Sequence, residues 1–245
     1  MSTYSEKNVT ARPAVSSRPS VAKTVSFAVH LFAVGSILYF ALAGNWVGIL
    51  QSLEALVLLA LPALVEQIFH CHLASWLRIY LNFYCLGPLL GHSYKLFYTT
   101  VWWDKLLHCS GGVIFAIVGY YLPKLNPNNR MSPAMRVLFA ICFSISISAA
   151  WEFVEFGSDM LLGMDTQNDT FISAIHSYNL GGLPGQLGIV DNITQVSVNG
   201  VPMPGYIDIG LIDTMCDMLI QTFGALTCNA ALALDHGKHP AFSFG

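Results

Sequence analysis

The sequence predicts an all-α polytopic membrane protein, a bundle of about six transmembrane helices with one long exported loop between helices five and six. Three observations predict it. Of 245 residues, 54% are hydrophobic and only 10% are charged, whereas soluble domains carry about 25% charged residues. Apolar runs recur near the ~20 residues needed to cross a hydrocarbon core of about 30 Å. The connecting segments share out the basic residues unevenly, as the loops of polytopic proteins do.

Residues 1–23 are rich in Ser, Thr, Arg and Lys without apolar periodicity, so a disordered cytoplasmic tail is expected. The first helix spans 24–43. It ends in Ala41-Leu42-Ala43, which imitates a signal-peptidase site, but its apolar stretch exceeds the roughly 7 to 15 residues of a signal h-region and further apolar segments follow, so it is read as uncleaved. The second helix, 47–69, carries Gln51, Glu54 and Glu66 as possible polar lining, with Glu54 well inside the run. The third, 76–96, contains YCLGPLLG. Its Gly87 and Pro88 predict a broken, re-entrant or partly inserted segment, because proline removes a backbone donor and kinks a helix. Helices at 106–122, 134–156 and 209–234 follow, then a cytoplasmic tail at 236–245.

With the N-terminus inside, the cytoplasmic segments hold Lys7, Arg12, Arg18, Lys23, Arg78, Lys124, Arg130, Arg136 and Lys238, and the opposite side only Lys95 and Lys105. This bias predicts six crossings of the inner membrane with both termini cytoplasmic. The loop 157–208 has no lysine or arginine, as an exported loop should. Its Gly, Pro and Asn clusters predict turns, 193–198 alternates like a short strand, and 170–178 spaces Phe171, Ile175 and Tyr178 as an interfacial helix would. A loop of this length is either a lid or a tolerated insertion.

Three segments carry polar stripes. Asp104 and His108 lie about 40° apart on a helical wheel, with Lys105 beside them. In WEFVEFGSD, the carboxylates of Glu152, Glu155 and Asp159 fall within about 60° of one another. In IDTMCDMLIQ, Asp213 and Asp217 share a face that Gln221 extends. Under the predicted topology all three stripes lie at the exported side. Ionisable groups at membrane depth cost roughly 2.5–3.5 kcal/mol each on insertion scales, so they need partners, water or a function. Helix-end solvation and the favourable dipole at the start of the last helix are the bland alternative. That alternative leaves Glu152, Glu155 and Asp159 unexplained, since they sit at a helix C-terminus.

Six carboxylates cannot all be ionised together without protonation, pairing with Lys105, or a metal. His108, Glu152, Asp213 and Asp217 are the expected ligands of a divalent metal, Zn, Mn, Fe or Mg by donor type. Asp104 can orient the imidazole of His108. His70-Cys71-His72 reads as an interfacial cluster, His30 and His92 as satisfied single histidines, and Trp102-Trp103 with Tyr98 as an interface belt. The cysteines form no CxxC pair and imply no disulfide framework. Basic residues are too few and too scattered for nucleic acid, so the lipid bilayer is the expected partner.

The succession WWDKLLHCSGG, WEFVEFGSD, DTQ and LIDTMCDMLIQTFGAL resembles the YjdF-like (DUF2238-type) group of bacterial inner-membrane proteins, with a fainter likeness to VanZ-like proteins. The resemblance implies that Asp104, Lys105, His108, Trp151, Glu152, Glu155, Asp159, Gln167, Asp213, Thr214 and Asp217 occupy the family's polar positions. It supplies no reaction. About 45 residues separate the DTQ element from the last helix, where relatives have a short connection, so access to the site would differ here. The expectation is an exported-side acidic and histidine pocket that holds a divalent metal and handles a lipid-like or envelope substrate. The alternatives are a proton- or cation-coupled transporter, or a non-catalytic membrane scaffold or immunity-like protein.

Overall fold

A computed structural model describes residues 21–126, 128, 130–235 and 242–244. The tail expected at 1–20, and residues 236–241 and 245 of the C-terminal tail, lie outside the described residues. Among the described residues, five helices are long and apolar enough to cross a membrane: α1 (Val21–Leu42), α2 (Trp46–Phe69), α6 (Trp103–Tyr121, its apolar span reaching Lys124), α7 (Pro133–Leu162) and α8 (Leu211–Asp235, its span ending at Leu234).

The expected third spanning helix is not one helix. It is α3 (Ser75–Cys85) followed by α4 (Gly87–His92), with the short α5 (Leu96–Thr99) after them. Gly87-Pro88 causes the break, since proline has no N–H to continue the ladder. Trp103 Nε1 donates to the Gly87 carbonyl at 3.3 Å, supplying a partner at the interruption.

Other boundaries also move. Residues 21–23, expected in the tail, belong to α1. Helix α7 continues past Phe156 to Leu162, where Gly163 at φ 63° closes it by donating to Asp159 O. Helix α8 starts two residues later than expected, because Ile209 and Gly210 take positive φ. The side chain of Asp208 then accepts from Gly210 N at 3.3 Å and Ile212 N at 2.7 Å, satisfying donors at the helix start.

The helices form two groups. Helices α1, α2 and α3 pack on one another, as do α6, α7 and α8, and α6 also touches α3, α4 and α5. Val29, Ala33, Ala55, Leu59, Cys85 and Leu89 fill the first group. Leu77, Ile117, Tyr121 and Ala140 join the two groups at the end away from Asp104. At that end Arg78 pairs with Glu66, whose Oε1 also accepts from Leu73 N at 2.7 Å. Glu66 is thereby committed to a structural clasp. Strand β1 (Cys71–Leu73) pairs antiparallel with β8 (Phe242–Phe244), so this part of the expected C-terminal tail is a strand.

The loop holds small antiparallel pairs instead of a helix at 170–178. β2 (Phe171–Ile172) pairs with β7 (Tyr206–Ile207), β3 (Ile175–Ser177) with β4 (Gly188–Val190), and β5 (Val196–Val198) with β6 (Val201–Met203). β-Branched Ile172 and Ile175 disfavour helix, and cross-strand partners downstream absorb the backbone groups.

Candidate functional site

The site begins with a glycine contact. At Gly112 and Gly224 helices α6 and α8 meet backbone to backbone. A Cβ on Gly112 would collide with the Gln221 carbonyl and lie 2.9 Å from Ala225 N, and one on Gly224 would collide with the Cys109 carbonyl. Only residues without a side chain allow this approach. Gln221 Nε2 donates to Ser144 O at 2.8 Å, tying α8 to α7 at the same level.

Towards the starts of α6 and α8, this crossing brings Lys105 against three acids. Its Nζ lies 2.9 Å from Asp104 Oδ2, 2.6 Å from Asp213 Oδ1 and 2.7 Å from Asp217 Oδ1. Asp217 is only 1% exposed. One ammonium faces three carboxylates, which leaves an excess of negative charge. His108, 5% exposed, turns Nε2 towards this group, 3.5 Å from Asp104 Oδ1 and 3.9 Å from Asp217 Oδ2. Its other ring nitrogen, Nδ1, is buried without a hydrogen-bond partner.

Across from it on α7 stand Glu152 and Glu155. Glu155 accepts from Trp151 Nε1 at 2.9 Å. Glu152 is 4% exposed and neither of its oxygens has an aligned partner, although Thr214 and Gln167 lie nearby. Buried polar atoms are nearly always paired, so three such atoms on two facing residues call for a ligand, ion or water.

Asp159 stands apart from this cluster. It accepts from Thr166 N and Oγ1, both at 2.6 Å, and from Gln167 N at 2.9 Å, and so fastens the DTQ segment to the end of α7. Gln167 Nε2 then donates to Thr214 Oγ1 at 2.6 Å, and Asn168 donates to Asp213 Oδ2 through N at 3.2 Å and Nδ2 at 3.1 Å.

Among the described residues, ligand atoms converge within metal-binding distance in two overlapping groups: Asp104, His108 and Asp217; and His108, Glu152 and Glu155. The set expected from sequence, His108, Glu152, Asp213 and Asp217, is therefore divided. Asp213 falls in neither group, because Lys105 and Asn168 occupy its oxygens. A His, Asp and Glu cluster able to coordinate a divalent metal is present.

A cavity of about 760 Å³ opens beside the cluster. Helices α2 and α7 form its walls without packing closely on each other, and α3 and α6 contribute to its floor. Asp104, His108 and Glu155 line it, as do Gln51, Glu54 and His92. Among the described residues, no lysine or arginine does. Tyr84 also lines the cavity but carries no signal in the sequence, because a lone tyrosine in an apolar run has no periodic polar companion. Thr166, which lines it too, is marked in the sequence only as the middle residue of the DTQ element. His30 and His72 do not join the site; His30 Nδ1 lies 2.7 Å from Ser26 O on its own helix.

No curated protein and no solved structure matches the chain. The family model described as "Predicted membrane protein (DUF2238)" matches residues 23–238, nearly all of the spanning region and the whole of the site. The chain is a multi-pass membrane protein, and it belongs to the DUF2238 family.

Proposed function

We propose that this chain is an inner-membrane metalloprotein whose divalent ion, held by His108, Glu152 and Glu155 at the exported side, acts on a lipid-like or cell-envelope substrate. The observation that carries this reading is the set of unpartnered buried atoms, His108 Nδ1 and both oxygens of Glu152. Asp104 and Asp217 face the opposite nitrogen of His108, an arrangement that orients an imidazole for metal ligation. One nitrogen among carboxylate oxygens suits Zn, Mn or Fe better than Mg. Such an ion polarises a substrate oxygen or generates a nucleophile from water, as in metal-assisted hydrolysis or transfer. The protein's own part is to hold the ion, keep the negative cluster compensated through Lys105, and border an apolar chamber.

Both termini are placed in the cytoplasm, with α3 and α4 together completing the third crossing, by the distribution of lysine and arginine. A reporter fused after residue 245 that proves to be exported would overturn this orientation.

A scaffold role accounts for Lys105 and for Asp104, Asp213 and Asp217, the three carboxylates that it bridges. It leaves His108, Glu152 and Glu155 without a reason. Transport of protons or cations is weakly supported, because beyond Glu54 the α2 wall of the cavity runs through Leu58, Leu61 and Val65. Metal analysis of purified protein tests the proposal. About one equivalent of Zn, Mn or Fe is expected, lost in Glu152→Gln and His108→Ala and kept in Asp159→Asn. Protein without stoichiometric metal after loading with each ion would sink it.

A further inference from the structure

Resting on this metal reading, we propose that the cavity between α2 and α7 is the seat of one hydrocarbon chain, and that the substrate is a single-tailed amphiphile whose anionic head meets the ion at His108, Glu152 and Glu155.

The shape of the space comes first. The cavity wall on α2 runs from Trp46 to Val65, which at 1.5 Å per residue is about 28 Å, close to a full hydrocarbon thickness. Its polar groups are gathered towards one end. Asp104, His108, Glu155 and Thr166 lie near the start of α6 and the end of α7, and Glu54 lies about two turns along α2 from Trp46. Past Glu54 the wall is Leu58, Leu61, Val65 and, from the other group, Phe143 and Val118. A second cavity of about 170 Å³ shares Val65, Val118 and Phe143 with this apolar end and prolongs it. A long apolar space closed at one end by ionisable groups has the polarity profile of an amphiphile.

Size then selects the number of tails. If a methylene takes about 30 Å³, near the share of a water molecule in the liquid, about 760 Å³ holds roughly 25 methylene-sized groups. One chain of about 16 carbons with its head fits. Two such chains do not, so a bilayer phospholipid would have to leave a tail in the membrane. Because α2 and α7 are not closely packed, a tail can enter sideways from the bilayer without crossing water.

Charge selects the head. Among the described residues the lining offers no lysine or arginine, so the bare cavity has no fixed cationic side chain of that kind to receive an anionic head. A divalent ion at His108, Glu152 and Glu155 supplies positive charge locally and gives a phosphate or carboxylate oxygen its partner. The head is therefore read through the ion, and binding should depend on it.

The test uses hexadecyl phosphate, hexadecanoate, decyl phosphate and hexadecylamine on the full chain in detergent, with Mn²⁺ or after chelation, followed by native mass spectrometry. The expected result is one hexadecyl phosphate or hexadecanoate per chain with Mn²⁺, reduced at least tenfold by chelation; preference between the two separates phosphate from carboxylate heads. Leu61→Trp, which shortens the apolar end, should lower hexadecyl phosphate retention about tenfold and leave decyl phosphate within twofold. Should that variant fail to fold, Ala150→Phe on the opposite wall should reduce both chains. Several equivalents insensitive to these substitutions would mean annular lipid only and overturn the proposal. So would equal retention of hexadecylamine in the presence of Mn²⁺. Stoichiometric Mn²⁺ with no amphiphile retained would overturn the proposal and leave the metal reading standing. Hexadecyl phosphate retained without any bound metal would refute the metal reading and, with it, the ion-bound head.

Discussion

Replacing single glycines by alanine should sort three positions that look alike in sequence. A helical glycine costs about 0.5–1 kcal/mol relative to alanine, so each replacement begins with a gain of that order. At Gly157 a Cβ meets nothing within 4 Å, and the gain should be kept. At Gly111 it would lie 2.6 Å from the Tyr84 hydroxyl, the free end of a side chain that can swing aside, so the net change should be near zero. At Gly112 it would strike the Gln221 carbonyl and come within 2.9 Å of Ala225 N and 3.0 Å of Gln221 C, all main-chain atoms of α8. Ordinary carbon contacts need about 3.5–4.0 Å, so α8 must retreat by roughly 1 Å. Overpacking of this kind costs about 1–3 kcal/mol, and the retreat also draws Asp217 away from Lys105. The net for Gly112→Ala is a loss of about 1 kcal/mol, and more where the Lys105–Asp217 pair is weakened. Equilibrium unfolding in mixed detergent, with far-UV circular dichroism as signal, measures all three. Equal stability of Gly112→Ala and Gly157→Ala would refute the backbone contact on which the convergence of the stripes depends.

Lys105→Met removes the ammonium that faces Asp104, Asp213 and Asp217. Breaking a buried pair from one side costs about 3–5 kcal/mol; with Lys105 one-third exposed, the low end is expected, and Lys105→Met with Asp217→Asn should recover part of it in the same unfolding assay. Asp159→Ala deletes a charged acceptor of three hydrogen bonds, each worth about 1.5–3 kcal/mol. Local opening of the loop should rise at least tenfold, read as faster proteolysis within 163–210, while the helices stay intact. Glu152→Gln keeps the volume of a side chain whose oxygens have no aligned hydrogen bond, so it should abolish metal retention while changing metal-free stability by less than about 1 kcal/mol. Acidification should release the ion from the wild type, because histidine and carboxylates bind metals only when deprotonated.

The polar stripes were legible in the sequence because ionisable residues stand out in apolar segments and the helical period fixes the face they share. Asp104 with His108, Glu152 with Glu155, and Asp213 with Asp217 could each be placed on one side of a helix that way. Their partners could not. Spacing carries no information about which stripe Lys105 would meet, and the answer follows from where Gly112 and Gly224 let two backbones touch. Asp159 kept the right period and still left the cluster, because α7 runs beyond its expected end and Gly163 turns Thr166 and Gln167 back onto it. The break after Cys85 was readable from Gly87 and Pro88. The cavity was not. Leu58, Leu61 and Val154 look the same in a sequence whether they face lipid or a chamber, and only the separation of two helix groups distinguishes them.

Asp213 belongs to two structures at once. Its Oδ1 holds Lys105, and its Oδ2 holds Asn168 at the root of the long loop. Work done on the loop is therefore transmitted through one carboxylate to the ammonium that bridges Asp104 and Asp217. Coupling of this kind runs equally in both directions. Occupation of the site should stiffen the loop, and a protein, glycan or protease that grips the loop should alter how firmly the site binds an added cation. The long loop would then act as a lever with its short arm inside the bundle.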